Sequence, residues 1–556
     1  MRLLLLYIFF LLPLPATFGQ GQTSEDVEGQ KRLIYFTDKV NTPYSITEPE
    51  QFLSSKAIER RSRQNIAVTA RDLPVDPAYV AAIKQLGVEV WYTSRWFNAA
   101  VIQCIDEQLH QVEALPYVRS SRTLNSVLYP QQARESSLRL KTEQEFASAA
   151  AAELDSSDYS QAFHQLNMLG ALDLQTAGYR GEGMTIAVLD TGFPAVNTIT
   201  AFSHLFGNNQ LKGTFDFVLK QQDVFTGNSH GTSVLSTMAA YAPGELIGTA
   251  YKANYLLFKT EDVTSEQQME EINWLLAAEF ADSAGADVLN SSLGYTTFDS
   301  PSVSYTYDQL NGYEALVTKA ADFAAAVGML VVVSAGNDGN KSWRYVSAPA
   351  DADSVLTVGA VDSLGIRASF SSFGPTADGR IKPDVVALGT RVAVLNALGI
   401  VIRSNGTSFS GPVIAGFATG IWQAYPQKTN TEIIELLKQS GSNATSPDNA
   451  IGYGVPSYTR MQAPAGLFAA SENDHILITN PVHQKEIVLT LNQYWVQKQV
   501  VVTIFDTTGK LIFKQTFPPN ISRYVLGLQP AILKQGLYLC RVRSGSRSST
   551  LRFIKL

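Results

Sequence analysis

The sequence predicts an α/β protein: a mainly parallel sheet flanked by helices, set between a small α+β module and a C-terminal β-sandwich. Three observations carry this. Between residues 159 and 462, uninterrupted apolar runs rich in β-branched residues (TIAVLD, ANYLLFK, ADVLNSSLG, MLVVVSAGN, SVLTVGAV) alternate with helical stretches such as SEQQMEEINWLLAAEFADSAG. Strands apolar on both faces, with helices between them, build a parallel sheet covered on both sides. Residues 31–130 alternate shorter strand-like and helical runs, and residues 474–556 offer strands and turns without a helix. At 556 residues and 45% hydrophobic composition, the chain is long enough to bury two or three cores.

Taken in order, residues 1–19 (MRLLLLYIFFLLPLPATFG) carry one positive charge, an apolar run interrupted by prolines, and small residues at Thr17 and Gly19. That is the order of a secretory signal peptide cut near Gly19. The run before Pro13 is short for a bilayer span. From 31 to 130, the strand-like RLIYF, VEVWYT and NAAVIQC alternate with the helical YVAAIKQLG and DEQLHQVEALP. Residues 131–158 are polar, alanine- and serine-rich and without a strong apolar period, which predicts an exposed linker. The catalytic candidates fall in 159–462. The tail, 474–556, has seven short strands (HILIT, EIVLTLN, VVVTIF, KLIFKQ, RYVLGL, GLYLCRVR, STLRFIK) separated by turns such as DTTGK and SGSRS.

Composition excludes several classes. A net charge of -7 gives no basic footprint for nucleic acid. Two cysteines, Cys104 and Cys540, lie in different modules, so neither a disulfide framework nor a cysteine-based metal or thiol site is expected. GEG at 181–183 precedes its strand, whereas phosphate-binding glycines follow one and open a helix, so a dinucleotide-binding reading fails on position.

In open α/β sheets chemistry gathers at the carboxyl ends of the strands. Asp190 ends one such run, MTIAVLDTG. A turn-capping aspartate is its ordinary alternative. An aspartic-protease reading needs a second carboxylate motif, and FDTTG at 505–509 has one residue too many. Among six histidines, only His230 opens a helix-like stretch (SHGTSVLSTMAA) whose small neighbours leave its ring uncrowded, and no second histidine stands at zinc-ligand spacing. In SNGTSFSGPVIAG, Pro412 lacks the N–H that would bond the carbonyl of residue 408, so regular helix is expected to begin no earlier. Ser408 then lies at a helix N-terminus, where free N–H groups and the positive dipole end favour a developing oxyanion. Gly406 lets the backbone turn and a substrate come close.

VLDTG, SHGTSVLSTMA and NGTSFSGPVIAG, in that chain order, resemble the motifs of the subtilases, the subtilisin-like serine proteases. The resemblance implies a secreted endopeptidase in which Ser408 attacks the scissile carbonyl, His230 moves the proton and Asp190 orients the imidazole. MLVVVSAGNDG resembles the family's oxyanion segment and gives Asn337 the donor role beside the Ser408 N–H. VLNSSLGY implies that Ser292, Leu293 and Gly294 line the first specificity pocket and pair with an extended peptide. LLFKTEDVTSE departs from the family there, and its Glu261 and Asp262 raise the expectation of a preference for basic residues before the cut; the alternative is an exposed acidic loop capping a helix from Ser265.

Residues 31–130 resemble a subtilase pro-domain, expected to act as an intramolecular inhibitor, although LSSKAIERRSRQNIAV is outside the usual pattern. The tail, with TNPV, TIFDTTGKLI and GLYLCRVRSG, resembles the sorting domain that takes Bacteroidetes proteins through type IX secretion, which implies that machinery as a partner and a secreted or cell-surface location. The expected substrates are proteins or peptides. No cofactor is required by this chemistry, no metal-ligating residues stand out, and structural calcium is common in the family. The rival reading is a catalytically silent surface binding protein on the same scaffold.

Overall fold

The computed structural model describes residues 29–124, 157–300, 302–462 and, in the C-terminal module, seven strands with parts of their connections. The expected signal peptide and nearly all of the expected linker lie outside the described residues.

The N-terminal module contains β1 (Gln30–Phe36), α1 (Ser55–Arg63), α2 (Pro77–Gln85), β2 (Glu89–Ser94), β3 (Ala99–Cys104), α3 (Asp106–Glu113) and β4 (Val118–Thr123). Its four strands form an antiparallel sheet in the order β2-β3-β1-β4. Alternate residues of a strand face opposite sides, and here both sides are covered. Ala100 and Ile102 of β3 pack with Ile83, Leu109 and Val112 under the module's own helices. Ala99 and Val101 join a core that belongs mainly to the next module.

That module is built on β5 (Thr185–Asp190), β6 (Leu211–Asp216), β7 (Asn254–Lys259), β8 (Val288–Ser291), β9 (Leu330–Ser334), β10 (Leu356–Val361) and β11 (Val385–Leu388). The seven strands pair in the order β11-β10-β9-β8-β5-β7-β6, all parallel. Five helices matter for the site: α4 (His230–Ala239), α5 (Gln268–Ala284), α6 (Leu316–Ala326), α7 (Thr407–Ala424) and α8 (Asn430–Gln439). Ile186 and Val188 of β5 face a core with α4 and α7, while Ala187 and Leu189 face the core of α5 and α6. The continuous apolar runs therefore record a sheet with helices on both sides.

The C-terminal module has β12 (Ile476–Ile478), β13 (Glu486–Leu491), β14 (Val500–Asp506), β15 (Leu511–Phe517), β16 (Arg523–Gly527), β17 (Gly536–Ser544) and β18 (Arg547–Lys555). They form two antiparallel sheets, β12-β13-β16 and β15-β14-β17-β18. Ile487 and Leu489 of the first share a core with Val502, Ile504, Cys540 and Val542 of the second, so Cys540 is a buried small hydrophobe.

Candidate active site

Asp190, fully buried, ends β5 at the carboxyl edge of the sheet. Its Oδ1 accepts from the Thr191 N–H at 2.8 Å and the Thr191 hydroxyl at 3.1 Å. It also accepts from His230 Nδ1 at 2.8 Å. Donation from Nδ1 leaves the Nε2 lone pair of a neutral imidazole free to take a proton. Burial works against the imidazolium, but the charge and hydrogen bond of Asp190 outweigh it and hold the His230 pKa above its ordinary 6.5. A Cβ at position 231 would lie 2.2 Å from the Gly192 carbonyl oxygen, so only glycine lets the first turn of α4 sit against the turn after β5.

Ser408 lies in the first turn of α7, which begins at Thr407, one residue earlier than Pro412 suggested. The difference has a local cause. The carbonyl that Pro412 leaves without a helical partner accepts from the Ser292 hydroxyl at 3.0 Å, so a helical Ser408 leaves no orphan. The turn into the helix passes through Gly406 at φ 152°, a conformation that favours glycine. Ser408 Oγ points to the Ser292 carbonyl oxygen at 3.5 Å and makes no hydrogen bond to His230 among the described residues. The two catalytic candidates are joined instead by packing: the Phe409 ring lies 5.8 Å from the imidazole, centroid to centroid. In unliganded sites catalytic bonds are often loose and close only around substrate.

Asn337 follows β9 and is tied to the same helix start. Its Oδ1 accepts from the Thr407 N–H at 2.9 Å and the Thr407 hydroxyl at 3.1 Å. The Ser334 hydroxyl donates to the Thr407 carbonyl at 2.8 Å. With its oxygen engaged, the Asn337 amide has its N–H₂ left as a donor next to Ser408. Sequence reasoning missed Thr407 and the carbonyl-binding role of Ser292. Pro412 was the available signal for the second, since it announces a carbonyl in need of a donor.

Ser292, Leu293 and Gly294 follow β8 at the same sheet edge and line a cavity of about 450 Å³ whose other wall carries Glu261, Glu266 and Glu270. The acids are not an exposed loop. Glu261 is buried, and its carboxylate accepts from the Tyr295 hydroxyl at 2.8 Å and the Thr260 hydroxyl at 2.6 Å. Asp262 Oδ1 accepts from the Thr264 N–H at 3.1 Å and is spent on its own turn. The helix behind them starts at Gln268, with Glu270 accepting from the N–H groups of Gln267 and Asp262, both at 2.9 Å. Burial raises the carboxyl pKa values of Glu261 and Glu270, and neighbouring carboxylates add to it, Glu266 and Asp190 at Glu261 and Glu261 and Glu266 at Glu270. Glu266 is pushed up to about 7 by burial and by Asp299. Among the described residues, no group of three or more His, Cys, Asp or Glu is placed to hold a metal ion.

The family model described as the subtilase family matches residues 181–454. Subtilisin of Bacillus pumilus is 32% identical over 293 residues, 52% of this chain and 94% of its own length. The chain belongs to the subtilase family. Subtilisin DY of Bacillus licheniformis is 31% identical over 278 residues, 50% of this chain and 90% of its own. Subtilisin NAT of Bacillus subtilis subsp. natto is 32% identical over 302 residues, 53% of this chain and 70% of its own. This subtilase is thus a subtilisin-like serine endopeptidase. A model of the Bacteroidota peptidase S8 propeptide domain matches residues 31–139, and one of a secretion-system C-terminal sorting domain matches 480–556. The second marks the subtilase for export to the cell surface or the medium.

Proposed function

We propose that the chain hydrolyses peptide bonds through an acyl-enzyme on Ser408. His230 acts as general base and then general acid, Asp190 fixes the imidazole tautomer, and Asn337 with the Ser408 N–H receives the oxyanion. The observation that carries this is the 2.8 Å bond between Asp190 Oδ1 and His230 Nδ1 at the sheet edge where α7 begins. Extended protein or peptide substrates would pair with Ser292–Gly294 and place a side chain in the adjoining cavity.

The N-terminal module fits the role of inhibitor. Its last described residue, Leu124, accepts through its carbonyl oxygen from the Met269 N–H and the Ser302 hydroxyl, both at 3.1 Å. Met269 adjoins Glu270, so the chain leaves this module beside the cavity. Cleavage between Leu124 and Ser157 would sever the connection. The tail would engage the type IX secretion machinery after a signal peptide has directed the first export step.

Labelling with a fluorophosphonate, wild type against Ser408→Ala, alongside casein digestion, tests the assignment. Labelling and digestion that both require Ser408 support it. A folded wild type that neither labels nor digests would make this chain a silent display scaffold.

A further inference from the structure

The segment LSSKAIERRSRQ forms α1, which is tied to its own module by the Arg61–Asp72 pair at 3.1 Å and otherwise turns its charges to the catalytic module. It reaches the amino-terminal edge of the central sheet, opposite the edge that carries Asp190 and Ser408. Six-residue β5 separates the two edges by roughly 17 Å at the usual rise per residue. Lys56 Nζ donates to the Gly183 carbonyl at 2.9 Å and the Thr185 hydroxyl at 2.6 Å, both at the start of β5. Arg60 donates to the carbonyls of Ala286 and Val327, and Gln64 donates to that of Gly328 at 2.8 Å. In return the Asn430 N–H donates to Gln64 Oε1 at 2.9 Å.

At the centre lies Asp282, fully buried at the end of α5. Its carboxylate pairs with Arg60, with Arg61 at 2.8 Å and with Arg95 at 2.5 Å, three arginines of the N-terminal module. Asp287 pairs with Lys56 at 3.0 Å and Arg63 at 3.5 Å. Arg60 and Arg61 are each only 1% exposed. Charges taken out of water to this degree persist only where both partners stay in place. These contacts owe nothing to the cleft.

We propose that α1 is a second anchor, which keeps the N-terminal module seated on the catalytic module after the chain between them is cut. The rate at which the cut module leaves is then set at the sheet edge remote from the cleft. This rests on the reading of the N-terminal module as an inhibitor.

The test uses the full chain carrying Ser408→Ala and a recognition site for a specific protease inserted between Leu124 and Ser157. After cutting, the two fragments are expected to co-elute in size-exclusion chromatography. Replacing Arg60 and Arg61 by Met should accelerate their separation by about thirty-fold or more, as truncating one side of a buried hydrogen-bonded charge pair does. Lys56→Met with Arg63→Met, at the more accessible rim, should accelerate it by a smaller factor. Equal separation rates in all chains overturn the anchor. If the buried double variant does not fold, the rim variant decides by the same criterion. Peptide hydrolysis followed in parallel with Ser408 intact separates the two readings. Release on schedule without hydrolysis sinks the peptidase assignment and leaves the anchor standing. Full hydrolysis with the module still bound sinks the inhibitor role, and with it any control of activity by the anchor, while the separation rates still decide whether α1 holds the module.

Discussion

Asn337 offers its amide oxygen to Thr407, and the proposed oxyanion role falls to its N–H₂. Asn337→Ala removes both functions, while Asn337→Asp keeps the acceptor and loses the donor. Loss of one such donor costs about 3 kcal/mol of transition-state stabilisation, a magnitude known from a subtilisin. Both variants should therefore lose roughly 100-fold in kcat at nearly unchanged KM, measured on a chromogenic peptide. An Asp variant as active as the wild type would remove Asn337 from the oxyanion site. His230 makes a second prediction. Only the neutral imidazole accepts a proton, so kcat/KM should rise with pH through a midpoint above 6.5, because Asp190 favours the protonated ring despite its burial. In Asp190→Asn that midpoint should fall, with kcat lower by about 10⁴ because the tautomer is no longer fixed.

The wall of the cavity beside Ser292–Gly294 is an element-scale feature, a helix start and a loop that bury carboxyl groups together. Glu261 has its pKa raised from 4.5 mainly by burial. A carboxyl whose pKa is higher folded than unfolded holds its proton more tightly in the native state, so it contributes stability at low pH that is lost as pH rises from 4.5 through the folded value. Glu261→Gln removes the titration and retains an oxygen to accept from Tyr295. Urea unfolding at pH 5 and pH 8 should show a smaller loss of stability across that window in the variant; an unchanged loss would place the titration elsewhere. Elements also show why part of the molecule was legible in sequence. TIAVLD or MLVVVS can only be buried strands, and the polar residues at their ends follow from topology. ERRSR, by contrast, has the appearance of a solvated basic helix, because apart from Asp72 on Arg61 its carboxylate partners lie more than 200 residues away at Asp282 and Asp287. Glu261 looks exposed for the same reason: the hydroxyl that holds it, on Tyr295, is 34 residues distant. Pair energies between remote segments leave no local period to read.

Across the whole molecule the three modules are coupled unequally, and the cores state how. Every described residue of the C-terminal core lies between Ile487 and Phe553, so among the described residues that sandwich builds its own core. The core under α5 and α6 instead mixes Leu33, Trp96, Val101 and Leu124 with Met269, Ile272 and Leu316 across the module boundary. Fully burying one such side chain is worth about 1.5–3 kcal/mol, and the charge cluster at Asp282 adds groups that tolerate no missing partner. Truncation after Gln462 should therefore leave the unfolding midpoint of the catalytic module, and its kcat/KM once the N-terminal module is gone, unchanged. Omission of residues 29–124 should not be neutral. It exposes the apolar faces of α5 and α6 and leaves Asp282 without its three arginines, so a chain starting at Ser157 should refold from urea with far lower yield than one containing the N-terminal module. Recovery is read by cooperative thermal unfolding, with Ser408→Ala in both chains to prevent self-digestion. Equal yields would mean that the catalytic module forms its core unaided and that the mixed core is only a docking surface.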